Sequence, residues 1–331
     1  MIKTTSKAAG RRSLLQGAAV AAATLAGRPL RAATPEKLVV VIGTSPPDPA
    51  CHYLYYARDA GFFQANGLEV EFRGLVSATN ATRSVVSGEA DIGWVDSVSS
   101  LQARQAGARI KCISAFAARL DYQIVGVKAA SDMKQLDGKR FGVATIGGST
   151  FVIPRLLLRK AGGNPDSVSW VAVGNSAARV QALVTGSIDA TITTTSFMPI
   201  IARYDRLHLI LDTGPALPDF AYTWEIANES VIAKRKPALQ AFIRATEQGI
   251  AWAQQNPAKA IALSQALLPD APKDEIAAAI GSYLSRRYWQ AEGTVKPSTL
   301  DGTVSVLVAA LQLTRPIAYD EFVDSTIARS S

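Results

Sequence analysis

The sequence predicts an α/β protein made of two similar lobes, each a mainly parallel sheet flanked by helices, with a ligand cleft between them. Three observations predict this. Strand-like and helix-like stretches alternate from residue 37 onward, the pattern of β-α-β units. The order β-turn-α-β-α-β then occurs a second time: Ala60-Gly61 returns as Ala161-Gly162, Arg58 as Arg159, and "SGEAD" (87–91) as "TGSID" (185–189). The chain's 331 residues are enough for two domains of ordinary size.

In the first half, "KLVVVIG" is short and β-branched and reads as a buried strand. "SPPDPACHY" turns into the helix "LYYARDAG", which Gly61 ends. Asn66-Gly67 then turns the chain into "LEVEF", where Leu68, Val70 and Phe72 alternate with Glu69 and Glu71, so one face is buried. Phe62 and Phe63 are expected to wedge this join against the core. "SATNATRSVVSGEA" is a second helix that Ser77 or Thr79 can cap, and "DIGWV" is a third strand.

The second half repeats the series. "KRFGVAT" is a strand, "IGGSTF" a turn, "VIPRLLLRKAGG" a helix, "VSWVAV" a strand, "GNSAARVQALVTGSI" a helix and "DATITT" a strand. The chain is expected to cross between halves near Phe116 to Gln123 and to return through "LPDFAYTW", with the helical tail from Ser230 packing back on the first lobe. The expected boundaries are 33–118 plus 219–331 for lobe I and 119–218 for lobe II.

The net charge of +8 is concentrated at the start of the chain. Residues 1–33 hold Lys3, Lys7, Arg11, Arg12, Arg28 and Arg31 and no acid, and without them 29 basic residues face 27 acidic ones. A near-neutral remainder gives no reason to expect nucleic acid. The cationic start, the apolar run from Leu14 to Gly27 and "PLRAAT" are the three parts of a cleavable export signal over 1–32, with Leu30 and Ala32 at the −3 and −1 positions. Arg11-Arg12 with Leu14 and Leu15 resembles a twin-arginine signal, though Gly10 and Gln16 depart from it. Cys51 and Cys112 can pair in an exported protein or sit as separate buried thiols, and the sequence leaves both open.

Taken together, these segments resemble the periplasmic solute-binding proteins of the nitrate/sulfonate/taurine type and the related thiamine-pyrimidine group. "YYARDAGFFQANGLEVEF", "SGEADIGWV", "LDGKRFGVATIGGSTF", "ALVTGSIDATI" and "NPAKA" carry the likeness over about residues 37–265, with "TRPIAYDEFVD" a weaker match. It is their order and spacing that is distinctive. The resemblance implies the two-lobed periplasmic-binding-protein fold of type II and a monomer without cofactor. It further implies delivery of a small ligand to the membrane permease of an ABC importer with a separate ATPase subunit. An enzyme on the same fold acting on a pyrimidine, or a ligand-sensing partner of a membrane receptor, are the alternatives.

In open α/β sheets ligands meet the turns at the carboxyl ends of the strands. Those turns hold Thr44, Ser45, His52 and Tyr53, then Ser77 and Asn80, then Trp94, Asp96 and Ser97 in the first half. In the second half they hold Gly147, Gly148, Ser149 and Thr150, then Asn175 and Ser176, then Thr194 and Thr195. Phe116, Arg119 and Trp224 lie near the crossings. Helices starting near Pro49, Ser77, Ser149 and Ser176 aim free N–H groups at the cleft, which favours an anionic or polar head group. Arg119 suits a carboxylate or sulfonate. Asp96 repels an anion, so it points to an amine, a zwitterion or a nitrogen heterocycle, or to a salt bridge across the cleft. The histidines are His52 and His208, and no H-E-x-x-H, C-x-x-C, G-x-S-x-G or Walker motif is present, so no catalytic or metal-ligating residue is expected.

Overall fold

The computed structural model describes residues 1–2 and 34–328, so the export segment expected over 1–32 lies outside it beyond Ile2. The first strand, β1 (Glu36–Ile42), leads into α1 (His52–Asp59), which Ala60 caps. Gly61 follows at φ 81°, a left-handed conformation that strains residues with a Cβ. The short α2 (Phe62–Ala65) and β2 (Leu68–Gly74) come next. Phe63 is buried, stacks on Phe242 at 5.4 Å and meets the edge of Phe72 at 6.1 Å. The join is wedged into the core as its aromatic pair predicts, by Phe63 more than by the half-buried Phe62. On β2, Leu68 is fully buried, while Val70 and Phe72 are half covered.

The half is completed by α3 (Ala78–Ser87), β3 (Ile92–Asp96), α4 (Ser97–Gln105) and β4 (Ile110–Ser114). Ser77 is the cap of α3, its Oγ accepting the Asn80 N–H. The second half follows the same order. It contains β5 (Tyr122–Val127), β6 (Arg140–Val143), α5 (Ser149–Lys160), β7 (Ser169–Ala172), α6 (Ser176–Thr185) and β8 (Ala190–Thr194). It ends with α7 (Met198–Ile201), β9 (Leu207–Asp212) and α8 (Thr213–Ala216).

Two five-stranded sheets result, with orders β2-β1-β3-β10-β4 and β7-β6-β8-β5-β9, where β10 is Thr223–Asn228. Both are mixed. β1 pairs parallel with β2 and β3, and β6 with β7 and β8. β10 and β5 are antiparallel to their neighbours. The reason is topological: each crossing leaves from a carboxyl edge and enters the facing sheet at its carboxyl edge, so the arriving strand runs the other way. The crossings lie side by side, joined by a bridge between Arg119 and Ala221 and by the Tyr222 N–H to Ala118 O at 2.7 Å.

The tail is helical: α9 (Glu229–Gln255), α10 (Pro257–Leu267), α11 (Lys273–Ser285), α12 (Pro297–Ala309) and α13 (Tyr319–Phe322). It packs on the first sheet's helices, with the Tyr56 hydroxyl 2.6 Å from Ser264 Oγ and Trp289 Nε1 donating to Ala50 O at 2.8 Å. α9 kinks at Arg235, two residues before Pro237, whose nitrogen cannot donate within a helix. Cys51 and Cys112 are unpaired buried thiols, donating to Asp48 O and Ser114 O. Among the described residues no helix is long and apolar enough to cross a membrane.

Candidate functional site

The carboxyl edges of the two sheets face each other across a partly open cavity of about 60 Å³, whose wall mixes polar and apolar groups. Its wall is made by the turns after β1, β2, β3, β6 and β7 and by the two crossings. Of the predicted residues, Thr44, Ser77, Trp94, Asp96, Gly148, Ser149, Thr150, Asn175 and Ser176 line it.

Three hydrogen bonds of 3.1 Å or less draw the halves together across this space, beside a longer contact of 3.5 Å between the Thr79 and Thr145 hydroxyls. Ser149 Oγ donates to Asp96 Oδ1 at 2.6 Å, Thr194 Oγ1 to Asp48 Oδ2 at 3.1 Å, and Asn175 Nδ2 to Ser45 O at 2.5 Å. Each donor belongs to the second half and each acceptor to the first. Gly148 is closely surrounded as well: a Cβ there would lie 3.3 Å from Thr79 Oγ1 of the first half and 3.1 Å from Thr145 Oγ1 of its own turn, so these hydroxyls would have to give way.

The two acceptor carboxylates are buried, and burial raises both above the ordinary carboxylate range. Asp96 is also the cap of α4, accepting the Ser99 N–H at 2.7 Å and the Ser99 hydroxyl at 2.8 Å. Asp48 accepts the Ala50 N–H at 3.0 Å. In the second half α5 starts at Gly148 with no side chain capping it, so its first N–H groups face the cavity, beside the hydroxyls of Ser149 and Thr150.

Among the lining residues that went unnoticed in the sequence are Asp48, Tyr122, Arg179 and Tyr222. Tyr122 and Tyr222 meet edge to face at 4.9 Å where the crossings pass, and Tyr222 also meets Trp94 at 6.1 Å. Arg179 is only 2% exposed, and its guanidinium donates to Ile192 O (3.0 Å), Gly174 O (2.5 Å) and Ser176 Oγ (3.1 Å), all neutral acceptors. Burial lowers its pKa, opposed by its neighbours Tyr122, Tyr222 and Asp48. Two signals could have pointed here. Asp48 precedes a proline at a helix start, and Arg179 puts a cation in the first turn of α6, where the helix dipole disfavours it.

Other predicted residues lie elsewhere. His52 is wholly buried in α1, edge-on to Tyr55 and Tyr56, its Nε2 3.3 Å from Pro47 O, and burial pulls its pKa down to about 4. Asn80 bonds Ser77 through its backbone and Arg83 through its side chain. Arg119 turns outward over Tyr288 and donates to the carbonyls of Arg286 and Arg287. Trp224 is in the core against Phe322, with Nε1 donating to Ser100 Oγ at 2.8 Å. Ser97 bonds Ala221 O, and Thr195 bonds Asp121. Ser45 and Thr194 stand at the cleft through their bonds to Asn175 and Asp48. Tyr53, Ser114 and Glu225 form a buried cluster behind the first sheet edge, where burial lifts Glu225 to about 7. Among the described residues no group of three or more His, Cys, Asp or Glu side chains could hold a metal ion.

A cavity between the carboxyl edges of two like sheets joined by paired crossings is the arrangement of two-lobed binding proteins. A family profile described as NMT1/THI5 like matches residues 48–260, well over half of the chain. The chain belongs to the NMT1/THI5-like family. YtlA of Bacillus subtilis, described as a binding protein, is 22% identical over 290 residues, covering 83% of this chain and 84% of YtlA. Among solved structures, the alkanesulfonate-binding protein SsuA of Xanthomonas axonopodis pv. citri, bound to MOPS, is similar at a TM-score of 0.70. The two are 14% identical, and the match covers 90% of this chain and 100% of that one. The periplasmic nitrate-binding protein NrtA of Synechocystis PCC 6803 is similar at a TM-score of 0.62 and 14% identity, covering 74% of this chain and 69% of that one. At these identities the structures show the shared fold: the two-lobed periplasmic-binding-protein fold.

Proposed function

We propose that this member of the family is the periplasmic substrate-binding component of an ABC importer, with no catalytic role of its own. It is exported by the signal over 1–32, through the twin-arginine route. Lobe I comprises 33–118 plus 219–331 and lobe II comprises 119–218. A small organic ligand is captured between them and handed to a membrane permease served by a separate ATPase subunit. The observation that carries this reading is the cavity between the sheet edges, closed by donors of the second half on acceptors of the first.

The lining narrows the ligand class. Asp48 and Asp96 on one wall disfavour a bare anion, while Arg179 and the open start of α5 on the other disfavour a bare cation. A zwitterion satisfies both walls, its ammonium toward the carboxylates and its acidic group toward Arg179 and α5. The kinship to sulfonate- and nitrate-binding folds is consistent with an acidic group at that end.

Thermal unfolding with a panel of sulfonates, carboxylates, nitrate, taurine-like zwitterions and pyrimidines tests this reading. A binder of the closed form raises Tm by mass action, and a 100-fold excess over Kd adds roughly 2.7 kcal/mol. A panel that never shifts Tm contradicts the import reading, and conversion of a bound compound, seen by mass spectrometry, replaces it with an enzyme.

A further inference from the structure

We infer that the ligand is amphipathic: a small polar head fills the cavity, and an apolar extension occupies a second compartment beside it. This rests on the reading of the cleft as a solute site and adds to it the shape and chemistry of the solute.

Size is the first observation. The cavity of about 60 Å³ has room for on the order of four water molecules, at the ~10–15 Å³ that each requires. With the cross-cleft bonds made, this space suits a small head group. A second compartment of about 360 Å³ adjoins it. The two share Thr44, Asp48, Asn175 and Ser176, so Asp48 stands on the wall common to both.

Chemistry is the second observation. The larger compartment is the more apolar of the two. Val180, Phe197 and Ile200 come from α6 and the segment entering α7, and Leu267, Leu268 and Ile276 from α10 and α11. Of its acids, Asp48 is on the shared wall, Asp270 is exposed and Glu275 is engaged with Arg203 at 2.6 Å. The second half of the chain and the helical tail thus meet around this volume, so closure that seats the head also gathers the apolar wall. An ammonium at Asp48 carrying an alkyl or ring substituent projects that substituent into the larger space.

Calorimetric titration of the full mature chain with taurine and a series of N-alkyl taurines, from methyl to cyclohexyl, tests the inference. The head is constant and only the extension grows. The expected result is a two- to fourfold gain in affinity for each added methylene until the compartment fills, the range that burial of a methylene supports. Leu268→Asp and Ile200→Asp, at half-buried positions of opposite walls, are expected to remove the gain while leaving taurine affinity within twofold. Taurine binding with no gain along the series overturns the second compartment and leaves the solute site standing. Absence of binding across the whole series overturns the zwitterion reading and this inference together.

Discussion

At the carboxyl edge of the first sheet the charged side chains that reach the cleft are carboxylates, Asp48 and Asp96, standing beside Thr44, Ser77 and Trp94. The matching edge of the second sheet presents donors: Ser149, Thr194, Asn175 and Arg179. The strand order is the same in both sheets, and so is the use of turns before helices. Duplicated topology therefore sets where the groups stand, and the turn residues give the two edges opposite polarity. Two edges with the same groups would repel on closing or leave polar atoms unpaired. Complementary edges close on each other and can orient a ligand that carries both charges.

The comparison breaks most severely at Arg179. Arg179→Met leaves the carbonyls of Gly174 and Ile192 and the charge of Asp48 without their buried partner. A loss of about 3–5 kcal/mol in urea unfolding is expected, together with loss of any ligand-induced rise in Tm. A loss under about 1 kcal/mol would show that the guanidinium is not anchored as described.

Next in size is the acid behind the first edge. Glu225 holds its proton up to about 7 when folded because it is buried, whereas the unfolded chain releases it near 4.5. Its folded-state advantage is complete below 4.5 and is lost as pH rises through 7, a change of about 3 kcal/mol. His52 acts in the opposite sense: it stays neutral to about 4, so stability falls as pH drops below 6.5. Unfolding free energy measured from pH 4 to 8 is expected to fall less above pH 5 in Glu225→Gln. An unchanged profile removes Glu225 from the account.

The latches come third. Ser149→Ala and Thr194→Val each remove one cross-cleft donor and leave a buried carboxylate oxygen with one partner fewer, at about 1–3 kcal/mol. Small-angle scattering is expected to show a larger radius of gyration for the double variant without ligand. Asn80→Ala is the smallest change, within about 0.5 kcal/mol and without effect on ligand affinity, because its side chain touches Arg83 outside the cavity. A clear loss of binding there would put Asn80 back in the site.

Much of the fold was legible because periodicity and turn chemistry are local. Gly61, Asn66-Gly67 and Ser77 marked element ends, and the repeated "AG" and "G-x-x-D" segments exposed the duplication. The mixed pairing of β5 and β10 was not legible, since it depends on which edge a crossing enters. In the site, sequence position identified the turns well and side-chain direction poorly. Ser149 and Asp96 were expected near the cleft, and they bond each other across it. His52 and Trp224 sit in the same stretches and point into the core, where Tyr56 and Phe322 cover them. Arg179 was missed because an arginine on a helix reads as solvated from the sequence. Its burial comes from β8 and the turn before α6, whose carbonyls at Ile192 and Gly174 take its guanidinium.

The complementary edges are tested most directly by calorimetry of the full mature chain with three compounds: taurine, ethanesulfonate and ethylamine. The first carries both charges, and the others carry one each. The account predicts that taurine binds at least tenfold more tightly than either. Equal or tighter binding of ethanesulfonate or of ethylamine would contradict it, because one edge alone would then suffice.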